Sequence, residues 1–240
     1  MEHLALSHLH STPGSTHDRH RGVDTLTEAQ FTVRRDATSR SDGRVTEVLA
    51  TLDHATRRPG VFLANPTVGA TEPAALAEFT RRTVRDAAPI YDDPRHVLSR
   101  VDDLLAVDHP GLFMTALFGS VQQHDHAVSV SIANRGHALP IVVSAGTARP
   151  VGVHSIVLGS TAHSDRRGDL SRVTLGRGDQ LLLINDRPSD GPMPQPYRPD
   201  VVRNLPIDVS DHDLAEYVIE LYGTSSVDVI VISASNGFNR

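Results

Sequence analysis

Hydrophobic residues recur at helical spacing in three segments of the chain, 73–88, 94–106 and 211–222. The first two segments each begin at a proline, which suits the first turn of a helix, and Asp93 can cap the second. The shared apolar faces contain Leu76, Phe79, Thr83 and Ala87, then Val97, Val101, Leu104 and Leu105, and finally Leu214, Val218 and Leu221. The pattern predicts three amphipathic helices.

Short runs rich in β-branched residues occupy most of the remaining chain. They cover residues 29–35, 44–52, 60–65, 111–123, 127–134, 139–145, 170–176, 180–186 and 227–235. Most of the connections between them are short, which favours antiparallel pairing. Residues 186–200 carry five prolines and are expected to form a loop.

The order of these elements predicts an α+β fold in which antiparallel sheet is covered by helices. A length of 240 residues with 39% hydrophobic residues suits a single domain, which we expect to span 26–240. Residues 1–25 contain five histidines among small polar residues and are expected to be a disordered tail. The alternative interpretation of that tail is a metal-binding tract.

Composition narrows the classes of function. The chain has no cysteine, so it cannot form disulfides or thiolate metal sites. Its net charge is −6 and it has no basic block, so we expect no nucleic-acid partner. No apolar run approaches the roughly 20 residues of a membrane span, and the N-terminus lacks the pattern of a signal peptide. We therefore expect a cytoplasmic protein that does not bind membranes.

Two places in the sequence carry candidate chemistry. The strand 180–186 ends at Asp186, and a buried strand that delivers a carboxylate at its end is a common way to build a metal site. One carboxylate does not hold a divalent cation, and the next residue is Arg187. The Gly136-His137 pair lies between two predicted strands, where it could serve a phosphate or metal site or have only a structural role.

The order of several motifs is more specific. Phe-Met-Thr-Ala at 113–116, Asn-Arg-Gly-His at 134–137, Leu-Gly at 158–159 and the Gly-Asp turn before the strand at 180–186 follow one another. This order resembles the metal-dependent serine/threonine phosphatases of the stage II sporulation protein E type. The resemblance implies an αββα sandwich of two antiparallel sheets. It also implies a site at the sheet ends where carboxylates hold two Mn²⁺ or Mg²⁺ ions that activate water for attack on a phosphoserine.

The resemblance places several family ligands on altered residues. The Asp of the family's Thr-Asp-Gly falls on Asp186, whereas its Gly falls on Arg187 and a later Glu falls on Asp190. The family's Asp-x-x-Gly-His-Gly motif falls on 65–70, so that Asn65 replaces the carboxylate.

Two further family motifs are also changed. The family's Gly-Asp-x-x-Asp falls on 43–47, where Arg44 replaces the first Asp and Glu47 stands at the second. The Asp-Asp pair before the last strand falls on Ser225 and Ser226, and we expect Asp228, inside that strand, to point away from the site. Since two divalent cations bring a charge of +4, too few carboxylates remain to hold the pair.

The sequence therefore leaves three hypotheses. The first is a degenerate phosphatase-like domain with no expected cofactor, which binds or regulates a protein partner. By the resemblance, that partner is of the anti-sigma-factor antagonist kind. The second is an active phosphatase that uses Mn²⁺ or Mg²⁺ with an unusual ligand set. The third is an unrelated α+β module that binds a small molecule.

Overall fold

A computed structural model describes residues 27–34, 43–49, 58–66, 73–124, 126–153, 155–160, 170–186, 199–222 and 227–236. The strands are β1 (Thr27–Arg34), β2 (Val45–Leu49), β3 (Gly60–Pro66), β4 (Met114–Gln123), β5 (Val128–Arg135), β6 (Ile141–Ser144), β7 (Thr147–Pro150), β8 (Leu170–Leu175), β9 (Gln180–Asp186) and β10 (Val227–Asn236). The helices are α1 (Pro73–Ala87), α2 (Pro94–Asp108), α3 (Pro199–Asn204) and α4 (Asp211–Tyr222). The expected tail at 1–25 lies outside the described residues.

The strands form two five-stranded sheets. Sheet I has the order β1-β10-β9-β6-β7, and sheet II has the order β2-β3-β4-β5-β8. All of the strand pairings within both sheets are antiparallel. Because side chains alternate between the two faces of a strand, each sheet presents one apolar set to the other sheet and another to the helices.

Three buried layers follow from this alternation. Val61, Leu117, Leu183 and Ile230 belong to the layer between the sheets. Phe62, Phe118 and residues of α1 and α2 form the layer outside sheet II. Residues of β9, β10 and α4 form the layer outside sheet I. The predicted αββα sandwich of two antiparallel sheets is confirmed, and so are the three predicted helices.

One local prediction is wrong in its bounds, and one strand was not predicted. The loop predicted at 186–200 is too long at both ends, because Asp186 pairs with Val227 in sheet I and Pro199 begins α3. A proline suits a first helical turn as well as a loop, so proline content alone did not separate the two. The sequence also did not predict β7, a short edge strand with no apolar alternation. It pairs with β6 through a tight turn in which Ala145 and Gly146 have positive φ.

No helix among the described residues is long and apolar enough to cross a membrane.

Candidate functional site

Polar side chains gather at one end of the space between the two sheets. In sheet II, Asn65 on β3 pairs with Thr115 on β4. Arg44 directly precedes β2, whose first residue, Val45, pairs with Ala64. Asn65 and Thr115 alternate with Leu63 and Leu117, which pack between the sheets. Arg44, Asn65 and Thr115 are 2%, 3% and 1% exposed. The strand alternation therefore brings three polar groups to the inner face.

Sheet I contributes two polar side chains to the same region. Asn185 on β9 pairs with Asp228 on β10, and they are 0% and 1% exposed. Asp228 alternates with Ile230 and Ile232, which pack between the sheets, so its side chain lies on the inner face. The expectation that Asp228 points away from this region is wrong, because the period of two in β10 carries it inward. We call the set Arg44, Thr46, Asn65, Thr115, His137, Asn185 and Asp228 the sheet-end cluster.

Asn185 joins the two sheets. Its amide nitrogen donates to the carbonyl oxygen of Val45 at 2.9 Å and to the hydroxyl of Thr46 at 2.7 Å. The guanidinium of Arg44 donates to the carbonyl oxygen of Asn185 at 3.1 Å. Because all of these groups are buried, the hydrogen bonds offset the cost of removing polar atoms from water. The arginine is thus anchored at the end of the strand that carries Asp186.

His137 lies in the connection from sheet II to sheet I. A hydrogen bond of 3.1 Å joins its Nδ1 to the hydroxyl of Thr115, and its backbone N–H donates to the side-chain oxygen of Asn134 at 2.8 Å. Burial lowers the pKa of His137 to about 4, and the nearby polar backbone of Ile184 opposes this only in part. His137 is therefore neutral at pH 7.

Gly136 has a structural reason to be glycine. Its φ is +65°, and a Cβ there would lie 2.5 Å from the Cγ1 of Val157. Both the left-handed conformation and the close approach favour a residue without a side chain. The turn thereby fixes the direction in which His137 enters the sheet-end cluster.

Glu47 lies on the other face of sheet II. Its carboxylate accepts a hydrogen bond of 2.8 Å from Arg85 and lies 3.5 Å from the Nε of Arg81, and both arginines belong to α1. Val45 on the same face packs against the helices. The structure therefore does not bring Glu47 together with Asn65, although both are candidate ligands.

The remaining candidates are described only in part or not at all. The backbone of Asp186 ends β9 and pairs with Val227. The side chain of Asp186 and the residues Arg187, Asp190 and Ser226 lie outside the described part of the structure. Their assignment as site residues remains a prediction.

The described donors do not fit a pair of divalent cations. Asn65, Thr46 and Thr115 offer neutral oxygens, and Asp228 supplies a carboxylate. Within the part of the chain that the structure describes, no group of three or more His, Asp or Glu side chains could hold a metal ion. At about 4–6 Å and an effective dielectric of about 20, a guanidinium opposes each unit of metal charge by roughly 3–4 kcal/mol. A guanidinium as buried as that of Arg44 would therefore oppose a metal ion bound beside it.

A second buried polar group lies between sheet II and α2 and was not predicted. Arg135 donates to the carbonyl oxygen of Ile156 at 2.8 Å and to a carboxylate oxygen of Asp102 at 3.3 Å. The other oxygen of Asp102 accepts from the backbone N–H of Gly159 at 2.6 Å. The sequence signal was a charged residue, Arg135, in the Asn-Arg-Gly-His motif at 134–137. Asn185 also had a signal, since it continues the buried alternation of Leu181 and Leu183.

The comparisons with known proteins agree with this architecture. The model of the stage II sporulation protein E (SpoIIE) family matches residues 70–191, just over half of the chain. No curated protein sequence matches the chain.

Several solved structures share the fold. The RsbU and RsbW domains of a Mycobacterium tuberculosis protein match with a TM-score of 0.67 and 18% identity, over 90% of this chain and 64% of that one. The PP2C phosphatase domain of SpoIIE from Bacillus subtilis matches with a TM-score of 0.65 and 10% identity, over 90% and 65%. RsbX in complex with magnesium matches with a TM-score of 0.56 and 14% identity, over 88% and 100%. At these identities the likeness concerns the fold alone.

Proposed function

Since this chain belongs to the stage II sporulation protein E family, we propose that it is a degenerate phosphatase-like domain. In this proposal it no longer hydrolyses phosphoserine and instead binds or regulates a protein partner. The observation that supports it most is that Arg44 is buried and donates to the backbone of Asn185, next to Asp186. By the resemblance, Arg44 stands where the family motif has a carboxylate.

Charge and hydrogen bonding support the proposal. A carboxylate at a buried sheet end needs a cation, and either a metal or a guanidinium can meet that need. Arg44 brings a fixed positive charge to the end of β9, and Arg187 follows Asp186 in the sequence. Since an arginine supplies the positive charge, the side chains at the sheet ends can keep their arrangement without a bound metal ion.

The proposed partner follows from the family. Members of the resembling type act on phosphoserine in anti-sigma-factor antagonists, and a structure that contains RsbU and RsbW domains is among those that match this chain. We propose a protein of that kind as the partner. A fold by itself does not fix function, so the partner is argued by analogy.

The test combines turnover with metal binding. We expect the purified chain to show no Mn²⁺-dependent hydrolysis of an aryl phosphate. We also expect millimolar Mg²⁺ to leave its melting temperature unchanged, since only a ligand that binds the folded state raises it. Mg²⁺ is the better probe for the melting curve because it prefers oxygen ligands and avoids the N-terminal histidines.

Five variants make the result decisive. In Arg44→Asp, Mg²⁺ should raise the melting temperature, whereas in Arg149→Asp, on the far edge of sheet I, it should not. If Mg²⁺ raises the melting temperature only in Arg187→Gly, then Arg187, and not Arg44, is the residue that excludes the metal. Turnover in the wild type that is lost in Asp186→Ala and kept in Glu220→Gln would overturn the proposal and show an active phosphatase with an unusual ligand set.

A further inference from the structure

One side of the sandwich ends in two edge strands, β7 of sheet I and β8 of sheet II. A groove of about 440 Å³ opens between them. Residues 149–153 line it on the side of β7, and residues 171–174 line it on the side of β8. No residue of the sheet-end cluster lines this groove, which we call the edge groove. It is therefore a surface separate from the candidate site.

Strand β8 presents its edge to the groove. Among the described strands it pairs with β5 alone, so the backbone groups on its other edge have no strand partner among them. Val173 packs between the sheets, whereas Arg172 and Thr174 lie on the opposite face of the strand, where they are exposed. A strand edge of this kind is a template on which another extended segment can pair.

The edge groove is positively charged. Arg149 on β7 pairs with Val142, which packs between the sheets, so Arg149 lies on the face that is turned toward sheet II. Arg149 and Arg172 are both exposed, and within the described part of the chain neither forms an ion pair or a side-chain hydrogen bond. No acidic residue is among the described residues that line the groove. Two uncompensated guanidinium groups therefore face this space in a chain whose net charge is −6.

We propose that the edge groove binds an extended acidic segment of a protein partner, which adds to β8 as a further strand of sheet II. The backbone of the segment completes the hydrogen bonds of β8, and its Asp or Glu side chains pair with Arg149 and Arg172. Main-chain hydrogen bonds give affinity for an extended segment, and the two arginines select an acidic one. The proposal is independent of metal content and of phosphatase activity.

Charge and backbone chemistry decide the kind of occupant. A second copy of β8 would bring another Arg172 to the same edge, and like charges on neighbouring strands oppose that pairing. A basic segment is repelled in the same way. A nucleic acid has the required negative charge, but it has no peptide backbone with which to extend a β-sheet. An acidic peptide segment meets both requirements.

Fluorescence anisotropy of a labelled peptide tests the edge groove. The peptide has about three repeats of Glu-Glu-Thr-Thr, because neighbouring residues of a strand point to opposite faces and the Glu pairs can then reach both arginines. We expect saturable binding to the full chain at low salt, where exposed charges are least screened. A peptide of Lys-Lys-Thr-Thr repeats should not bind. Repeats of Glu-Glu-Pro-Pro have the same charge but should bind at least about fivefold more weakly, because proline has no N–H to donate.

Charge reversals on the two sides of the groove provide the matched variants. Arg149→Glu and Arg172→Glu should each raise the dissociation constant of the Glu-Glu-Thr-Thr peptide at least about fivefold, since a contact between opposite charges becomes one between like charges. Arg82→Glu, the same change at an exposed arginine of α1, should leave it unchanged, because α1 contacts β2 at the opposite edge of sheet II. Melting curves verify that all three variants fold.

Hydrogen exchange then locates the bound peptide. Saturating Glu-Glu-Thr-Thr peptide should slow the exchange of amides in residues 170–175 and leave those of β1, the far edge of sheet I, unchanged. The proposal is overturned if the wild type shows no saturable binding up to roughly 1 mM, the weak end of the affinity scale. It is also overturned if the proline peptide binds equally well, if both groove variants keep the wild-type dissociation constant, or if β8 gains no protection.

Discussion

At the scale of single residues, backbone conformation and close approach decide which positions tolerate no side chain. Gly159 has a φ of +82°, and a Cβ there would lie 2.0 Å from the carbonyl oxygen of Leu112. Gly146 has nearly the same φ, +83°, but nothing lies within 4 Å of its Cβ position. The two glycines therefore separate the cost of the conformation from the cost of the overlap.

We predict that Gly159→Ala destabilises the protein by roughly 2–5 kcal/mol, because a left-handed alanine costs about 1–2 kcal/mol and a steric overlap adds about 1–3 kcal/mol. The matched variant Gly146→Ala should lose only the about 1–2 kcal/mol of stability that the left-handed conformation costs. Urea unfolding of the two variants measures the difference. Equal free energies of unfolding would mean that the contact between Leu112 and the loop at Gly159 is not as close as the structure has it.

At the scale of elements, a buried ion pair joins helix α2 to the end of β5 and to the loop at 158–159. The side chains of Arg135 and Asp102 are 5% and 9% exposed. The network bonds Asp102 to the backbone of Gly159 and Arg135 to the backbone of Ile156. Charged groups this buried depend on each other, because either one alone would be left without compensation.

We therefore predict that Arg135→Ala costs about 3–5 kcal/mol of stability. The double variant Arg135→Ala with Asp102→Asn should cost less than the sum of the two single variants, since the asparagine removes the uncompensated charge and can still accept from Gly159. Chemical unfolding of the four proteins gives this double-mutant cycle. Additive costs would contradict a direct pair.

At the scale of the whole molecule, the two sheets are held together by apolar packing in the middle and by polar contacts at one end. His137 belongs to both sheets at that end, since it bonds Thr115 of sheet II and meets the backbone of Ile184 in sheet I. Its pKa is lowered from 6.5 to about 4 by burial. The folded protein is therefore stable with His137 in its neutral form.

This gives a prediction for acid. Between pH 6.5 and about 4 the unfolded chain binds a proton at His137 that the folded chain does not, so stability is complete above pH 6.5 and falls as the pH decreases. The loss from this residue should reach roughly 3 kcal/mol near pH 4. Urea unfolding of the wild type and of His137→Gln at several pH values separates the contribution of His137 from that of the other histidines. An identical pH dependence in the variant would show that His137 is not buried in its neutral form.

Helix positions and strand runs could be predicted from the sequence because they depend on local periodicity. The helix at 211–222 coincides with its apolar spacing. The run 180–186 forms β9 because its residues face cores on both sides, with Leu181 and Leu183 toward sheet II and Leu182 and Ile184 toward α4. The short helix α3 and the edge strand β7 lack such a pattern.

The arrangement of the sheet-end cluster was decided by tertiary structure. The residue types at Arg44 and Asn65 were visible in the sequence, and by the resemblance they indicated a changed set of ligands. Their meeting depends on strand register, because a shift of one residue turns a side chain to the opposite face. Arg44 and Glu47 are three residues apart, so their side chains lie on opposite faces of sheet II. Glu47 pairs with an arginine of α1, whereas Arg44 reaches sheet I. The same rule turns the side chain of Asp228 inward, although we expected from the sequence that it would point away from the site.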